Sequence, residues 1–281
     1  MRNRKRQRSI YPLLAVLGVC AFAQPPREMT SREGNAFTKT RFGSFPCAPR
    51  GRVSAAVSGE LTVRGQARGD CAYKIRQRVA AATEKRAVEA MQEFRLAAQL
   101  QGDSAYFKII PVTVGSDTLE IELSVPKASR EVVAISRIGS VKAFDIDGAV
   151  TIESGAGNLE ADRIGGATAC RTDGGNIRVG KVNGTLRCYS GGGEIRIASA
   201  GGETWTDTAG GEIFVTEVRG PLHATTSGGN IEVERASGIV RAYSLLGLID
   251  IQQAGGLVSA ETRGGSIQVN GARGARCDAG T

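Results

Sequence analysis

Aromatic residues and histidine are both scarce in this sequence. Phe, Trp and Tyr make up 5% of the 281 residues, so a core has to be built from Ile, Val, Leu, Ala and Thr. His223 is the sole histidine, which excludes a metal site made of several histidines. A Ser/His/Asp triad would have to use this residue, and no nucleophile motif surrounds it. We therefore predict no catalytic residues and no metal ligands.

Long apolar runs are also absent after the first residues of the chain. The opening MRNRKRQRSIYPLLAVLGVCAFAQ joins basic residues to a run from Leu13 to Ala23 that is too short to span a bilayer. This pattern predicts a signal peptide over residues 1–23, with cleavage before Gln24. Cys20 follows Val19 and leaves a lipoprotein as an open alternative. We expect an exported protein, in the periplasm, cell envelope or extracellular space, without a transmembrane segment in its mature chain.

Little of the basic charge remains once the leader is removed. The formal net charge is +8, and five of these eight excess charges lie between Arg2 and Arg8, which leaves about +3 for the mature chain. A nucleic-acid partner would need a concentrated basic surface interleaved with aromatics. We therefore expect no nucleic-acid binding.

Glycine, in contrast, is abundant and periodic. Among the 38 glycines, sixteen follow one another at steps of nine residues. They are Gly139, Gly148, Gly157, Gly166, Gly175, Gly184, Gly193, Gly202, Gly211, Gly220, Gly229, Gly238, Gly247, Gly256, Gly265 and Gly274. A fixed period of this kind is typical of a repeat protein.

Two kinds of nine-residue unit alternate, so the true repeat is eighteen residues. Both kinds carry a pair of residues two and four places after the glycine. In the larger kind the pairs are Leu159 and Ala161, Ile177 and Val179, Ile195 and Ile197, Ile213 and Val215, Ile231 and Val233, Ile249 and Ile251, and Ile267 and Val269. In the slimmer kind they are Val150 and Ile152, Thr168 and Cys170, Leu186 and Cys188, Thr204 and Thr206, Leu222 and Ala224, Val240 and Ala242, and Val258 and Ala260.

Residues two apart on a strand face the same way, so each unit predicts one short strand with an inward pair and a glycine corner. Eighteen residues then form one coil of two strands, and successive coils stack by parallel pairing at about 4.8 Å. We predict an all-β fold, a right-handed parallel β-solenoid over residues 139–281. A sandwich or propeller would show variable loops or a period near 40 residues.

The part before the repeats predicts a small α+β cap. Residues 24–52 are polar, with proline and glycine, and predict a linker. Residues 53–138 show several alternating strands and one helix from about Thr83 to Leu100, with Val88, Met91 and Phe94 on one face. We expect this helix to cover the open edge of the first coil.

The phrase SVPK at Ser124 to Lys127, followed by repeated GGxIxV and GxVxAxT phrases, carries a family resemblance. From about Val53 to the C-terminus the chain resembles the bacterial putative adhesins, described as a β-strand-repeat domain of unknown function. The resemblance implies a solenoid of the cell envelope and names no catalytic residue. Family members continue with further coils, whereas this sequence stops inside its eighth.

No cofactor is predicted either. GNIRVGKV, from Gly175 to Val182, has glycines and a lysine at the spacing of a phosphate-binding loop, but it lies in register with the other repeats. The enzyme alternative is a carbohydrate-active β-helix. This alternative depends on Glu232 and Glu234, which are expected to point outward, and on Asp250, which is expected to stack above Glu232. The distance between stacked carboxylates would suit the catalytic pair of a glycosidase. A solvated face explains the same residues.

The candidate binding residues lie on the slimmer strands. Three places after the glycine, four successive units carry Arg187, Trp205, His223 and Arg241, and two places further on Tyr189 and Tyr243 accompany them. Such a strip could hold a glycan, polymer or protein ligand. Packing that shields the sheet is the alternative. We therefore expect a non-enzymatic surface protein, with an enzyme or a structural spacer as the other hypotheses.

The cysteines and the chain end add three expectations. Cys170 and Cys188 should be neighbours in adjacent coils, either as small inward residues or as a disulfide. Cys47 and Cys71 flank the first cap strands and could be joined in an exported protein.

The last coil stops at Thr281 without a cap, which predicts self-association or a longer parent protein.

Overall fold

The computed structural model describes residues 26–91, 93–112 and 118–280. The expected signal peptide and Cys20 lie outside the described residues. Two long sheets run side by side through the described part of the chain, one of thirteen strands (sheet A) and one of twelve (sheet B). Together they form a parallel β-solenoid of about eight turns with coils of about eighteen residues, as the glycine period predicts.

The strands of sheet A, in chain order, are β1 (Arg27–Glu33), β2 (Ala36–Phe45), β4 (Glu60–Gln66), β5 (Cys71–Ala80), β8 (Thr118–Pro126), β10 (Val141–Ile146), β12 (Leu159–Ile164), β14 (Ile177–Val182), β16 (Ile195–Ala200), β18 (Ile213–Val218), β20 (Ile231–Ala236), β22 (Ile249–Ala254) and β24 (Ile267–Val269). Those of sheet B are β3 (Arg52–Val57), β6 (Phe94–Gln101), β7 (Ser104–Pro111), β9 (Glu131–Ser136), β11 (Ala149–Ser154), β13 (Thr168–Thr172), β15 (Leu186–Ser190), β17 (Thr204–Thr208), β19 (Leu222–Thr226), β21 (Val240–Ser244), β23 (Leu257–Thr262) and β25 (Gly274–Ala279).

The repeats stack in the predicted register. In sheet A, Ile177 pairs with Ile195, and Ile195 pairs with Ile213. In sheet B, Leu186 pairs with Thr204. Both predicted members of each inward pair are buried from β12 to β23. The core is therefore a continuous column of aliphatic and small side chains between the two sheets.

The predicted linker is wrong, because residues 24–52 contain β1 and β2. Strand β2 pairs antiparallel with β5 along ten residues, from Ala36 with Ala80 to Phe45 with Cys71. Cys47 and Cys71 form the disulfide that the sequence allowed, directly beyond this pairing. Most of β2 is only half-buried, so its sequence lacks the regular alternation that reveals a strand.

The predicted helix is too long, and it does not cover a coil edge. Helix α1 spans Glu84–Ala90, whereas Phe94–Gln101 is β6, paired antiparallel with β7. In β6 the residues Phe94, Leu96, Ala98 and Leu100 alternate towards the core, so period two prevails over the helical spacing. Ala87 of α1 packs in a small separate cluster with Phe37 and Val79.

Antiparallel strands extend both sheets at this end of the solenoid. In sheet A the order β1-β2-β5-β8 precedes β4, and in sheet B β6 and β7 precede β3. Strands β4 and β3 then pair in parallel with β10 and β9. The strands before the first glycine unit thus continue the same two sheets.

The final half-coil departs from the eighteen-residue period. Strand β25 pairs Val258 with Ala275 and Ala260 with Cys277, a step of seventeen residues. Gly274 therefore lies on the strand opposite Leu257 instead of at a corner, which corrects the last step of the glycine count. Eighteen-residue pairing would place Arg276 and Asp278 under the core, and the one-residue slip puts small residues there.

Candidate functional site

The six candidate residues lie on the outer face of sheet B, in the two columns that the repeat predicts. Arg187 pairs with Trp205, Trp205 with His223, and His223 with Arg241. In the next outward column Tyr189 is followed by Asp207, Thr225 and Tyr243. Side chains on this face project away from the core because the residues between them are buried.

The centre of the strip is an aromatic stack. The rings of Trp205 and His223 are parallel to within 6°, and their centroids lie 3.8 Å apart. The Trp205 side chain is nevertheless 45% exposed. The imidazole of His223 covers one face of the indole. The indole also borders the preceding coils, which lie on the side away from His223.

Those preceding coils form a depression of about 570 Å³ beside the indole. Thr151 and Ala169, which precede Arg187 in the same column, are small and leave room above the sheet. Arg187, Tyr189 and Trp205 border the depression. His223 borders the depression as well. Arg241 and Tyr243 do not border it, because they lie in the next coil along the strip.

Arg171 is a site residue that the sequence analysis missed. Its guanidinium carbon lies 4.6 Å from the centre of the Tyr189 ring, and both residues border the depression. The register could have revealed it, because Arg171 is the neighbour of Tyr189 in the outward column. The small residues of the floor could have been found in the same way, since a cavity needs short side chains beside long ones.

Three guanidinium groups on this face make no ion pair with a carboxylate of the described residues. Among the residues that the structure describes, no ion pair involves Arg171, Arg187 or Arg241. Glu153 is next to Arg171 in register, but the guanidinium turns to Tyr189. The face therefore presents positive charge that is free to meet an anion.

The environment of His223 disfavours its charged form. Partial burial and the nearby Arg241 lower the pKa of this imidazole, and Glu203 opposes them with an Oε1 that is 3.6 Å from Nε2. A neutral ring stacks on Trp205 without the cost of desolvating a charge. The aromatic stack is thus favoured at neutral pH.

The carboxylates of the enzyme alternative lie on the other sheet. Glu232 and Glu234 are exposed on β20, and Asp250 pairs with Glu232 as expected. The Asp250 carboxylate accepts a hydrogen bond of 2.7 Å from the side-chain amide of Gln252. This acidic pair and the strip therefore occupy opposite faces of the solenoid.

Cys170 and Cys188 are adjacent, buried and free, so they are the small inward residues of the first alternative. A hydrogen bond with Cys170, followed by burial, raises the pKa of the Cys188 thiol, and a protonated buried thiol is unreactive. In the described part of the chain no cluster of His, Cys, Asp and Glu suits a metal ion. No helix among the described residues is long and apolar enough to cross a membrane.

Comparison with known proteins gives structural matches alone. No family model and no curated protein matches the sequence. The solved structures that match include a putative adhesin from Bacteroides fragilis, at 12% identity and a TM-score of 0.34, covering 87% of this chain and 98% of that one. A putative adhesin from Parabacteroides distasonis matches at 8% identity and a TM-score of 0.39, covering 86% and 96% of the two chains. A putative lipid binding protein from the same species matches at 14% identity and a TM-score of 0.37, covering 88% and 98%.

Proposed function

We propose that this chain is an exported, non-enzymatic binding protein of the cell envelope or surface, which holds an extended glycan along the outer face of sheet B. The carrying observation is the half-exposed Trp205, which borders the depression and follows Arg187 in a column that continues through His223 to Arg241. Rigid stacking of coils keeps these groups at a fixed spacing of about 4.8 Å. A polymer that runs along the solenoid can therefore contact several coils at once.

The disulfide between Cys47 and Cys71 supports export, since such bonds persist in oxidising compartments. Open aromatic surface supports a sugar ligand, because the apolar face of a sugar ring packs on a flat indole. Cross-strand packing alone would account for the stack of Trp205 on His223. It would leave the depression without a role, together with the three arginines of the same face that make no ion pair among the described residues.

The double substitution Trp205→Ala with Arg241→Ala tests this function. We expect it to abolish retention in a glycan array and on immobilised polysaccharides, with the melting temperature almost unchanged, because both side chains project outward. The matched control is Phe214→Ala with Arg196→Ala, which removes the arginine–aromatic pair of sheet A. That control should retain the ligand. Lower stability with unchanged retention would instead assign the strip to packing, and a wild-type protein that retains no glycan would favour a spacer.

A further inference from the structure

The depression at the start of the strip is large enough for a sugar residue. Its volume of about 570 Å³ lies within the usual range of small-ligand sites. The floor consists of the short side chains of Thr151 and Ala169, and the indole of Trp205 stands at its edge. A ring that lies on this floor would share the depression with the indole, and Arg187 would lie between the two in the column.

The charged groups around the floor specify the chemistry of that sugar. Arg187 follows the floor in the central column, and Arg171 lies beside it in the outer column. Neither guanidinium has an ion-pair partner in the described part of the chain. The planar guanidinium binds a carboxylate through two parallel hydrogen bonds, which gives both strength and orientation.

Two carboxylates also border the depression, and they lie in the outer column. Glu153 precedes Arg171 there, and Asp207 follows Tyr189. At these two positions they can accept hydrogen bonds from sugar hydroxyls on either side of the anionic group. The guanidinium groups next to the floor suit a carboxylate, and the Glu153 and Asp207 carboxylates suit hydroxyls. Together they match a sugar that carries one carboxylate and several hydroxyls.

A second cationic position occurs further along the same column. Arg241 is three strands beyond Arg187 in sheet B, about 14 Å at the usual strand spacing. An oligosaccharide that occupies the depression can reach Arg241 with a later residue. Repeated acidic sugars would therefore bind more tightly than a single one.

We infer that the ligand of the proposed binding strip is an acidic polysaccharide, and that the depression beside Trp205 takes one uronic acid residue with its carboxylate on Arg187 and Arg171. This inference rests on the proposed function and adds the class of glycan to it. It also predicts which substitutions separate binding of the anion from binding of the ring.

The test compares linear uronic-acid polymers with their carboxyl-reduced forms, using polygalacturonate, alginate and hyaluronate by titration calorimetry at two salt concentrations. We expect the wild-type protein to bind at least one acidic polymer about tenfold more tightly than its reduced form. Arg187→Gln should remove most of this preference, because the variant no longer offers the carboxylate a second guanidinium beside Arg171. Arg178→Gln removes an exposed arginine from sheet A of the same coil and should behave as wild type.

A second pair of variants tests the place of binding without changing charge. Ala169→Tyr fills the floor of the depression and should abolish binding of both polymers, while Ser259→Tyr, in the same column but outside the depression, should not. Equal affinity for the acidic and the reduced polymers would overturn the acidic-glycan inference, and so would equal losses of binding in Arg187→Gln and Arg178→Gln. The proposed function would still stand in either case if retention of the glycan depended on Trp205. Equally tight binding of single-stranded DNA through Arg187 would overturn it in favour of a phosphate ligand. Absence of all glycan binding would overturn both.

Discussion

At the scale of single residues, the most regular feature of the core is a column of buried hydroxyls in sheet B. It occupies the third inward position of each strand and consists of Ser154, Thr172, Ser190, Thr208, Thr226, Ser244 and Thr262. Each hydroxyl donates to the carbonyl of a corner glycine fifteen residues earlier, as Thr208 does to Gly193 at 2.8 Å. Apart from Thr262, each also accepts from the glycine N–H three residues later, as Thr208 does from Gly211. These bonds satisfy corner groups that are buried or half-buried.

Thr208→Val tests this column while keeping the shape of the side chain. The change leaves the Gly193 carbonyl and the Gly211 N–H without their hydroxyl partner, so we expect a loss of about 1–3 kcal/mol in the free energy of unfolding. Chemical denaturation monitored by circular dichroism measures it. Thr225→Val, on the exposed face of the neighbouring strand, is the matched control and should be close to neutral. Equal stability of both variants would show that the hydroxyl bonds contribute nothing net.

At the scale of elements, the strands were predictable to the extent that they follow period two. The two inward residues of each unit alternate, and from β11 to β23 the structure buries them as predicted, whereas Ile267 and Val269 of β24 are only half-buried. Sheet A then departs from the pattern: in β12, Asp162 and Arg163 both face outward before the buried Ile164. Arg163 has a φ of 55°, a local change of backbone direction that alternation cannot reveal. In sheet A, alternation therefore does not predict the third inward residue, whereas in sheet B that residue is the fifth of the strand and continues the alternation.

The corners are the second element, and their paired glycines have unequal roles. A Cβ on Gly193 would overlap the backbone carbonyl of Gly175 in the adjacent coil, whereas a Cβ on Gly192 would meet no atom within 4 Å. Gly193→Ala should therefore push two coils apart and cost about 1–3 kcal/mol of stability. Gly192→Ala should be neutral or stabilise by about 0.5 kcal/mol, since it restricts the unfolded chain. Thermal melts of the two variants check this, and similar melting temperatures would contradict the close contact.

At the scale of the whole molecule, the repeat length alone predicts most of the architecture. Eighteen-residue stacking follows from the glycine period, and the columns of the candidate site follow from the stacking. The depression did not, because it depends on side-chain size in neighbouring coils and not on the residues of the strip alone. Of the antiparallel strands at the other end, β5 and β8 show the predicted alternation, whereas β1, β2 and β6 were not predicted, because β1 and β2 are hardly buried and β6 also fits a helical spacing.

Deletion of one coil tests whether eighteen residues is the unit that the solenoid can gain or lose. Removing residues 195–212 places β18 on β14 and β19 on β15, which brings Ile177 next to Ile213 and keeps every inward position apolar, small or hydroxyl-bearing. We expect this variant to keep a β-type circular dichroism spectrum and a cooperative melt.

Removing nine residues, 204–212, should have the opposite result. Strand β18 would then take the place of β17 in sheet B, where the inward positions are the first, third and fifth, as in Thr204, Thr206 and Thr208. The fifth residue of β18 is Glu217, whose carboxylate would replace the hydroxyl of Thr208 in the core. Burial of an unpaired charge costs several kcal/mol, and every later strand would lie in the wrong sheet. We expect this shorter deletion to yield unfolded or aggregated protein, and a folded product with the stability of the eighteen-residue deletion would mean that the two sheets are interchangeable.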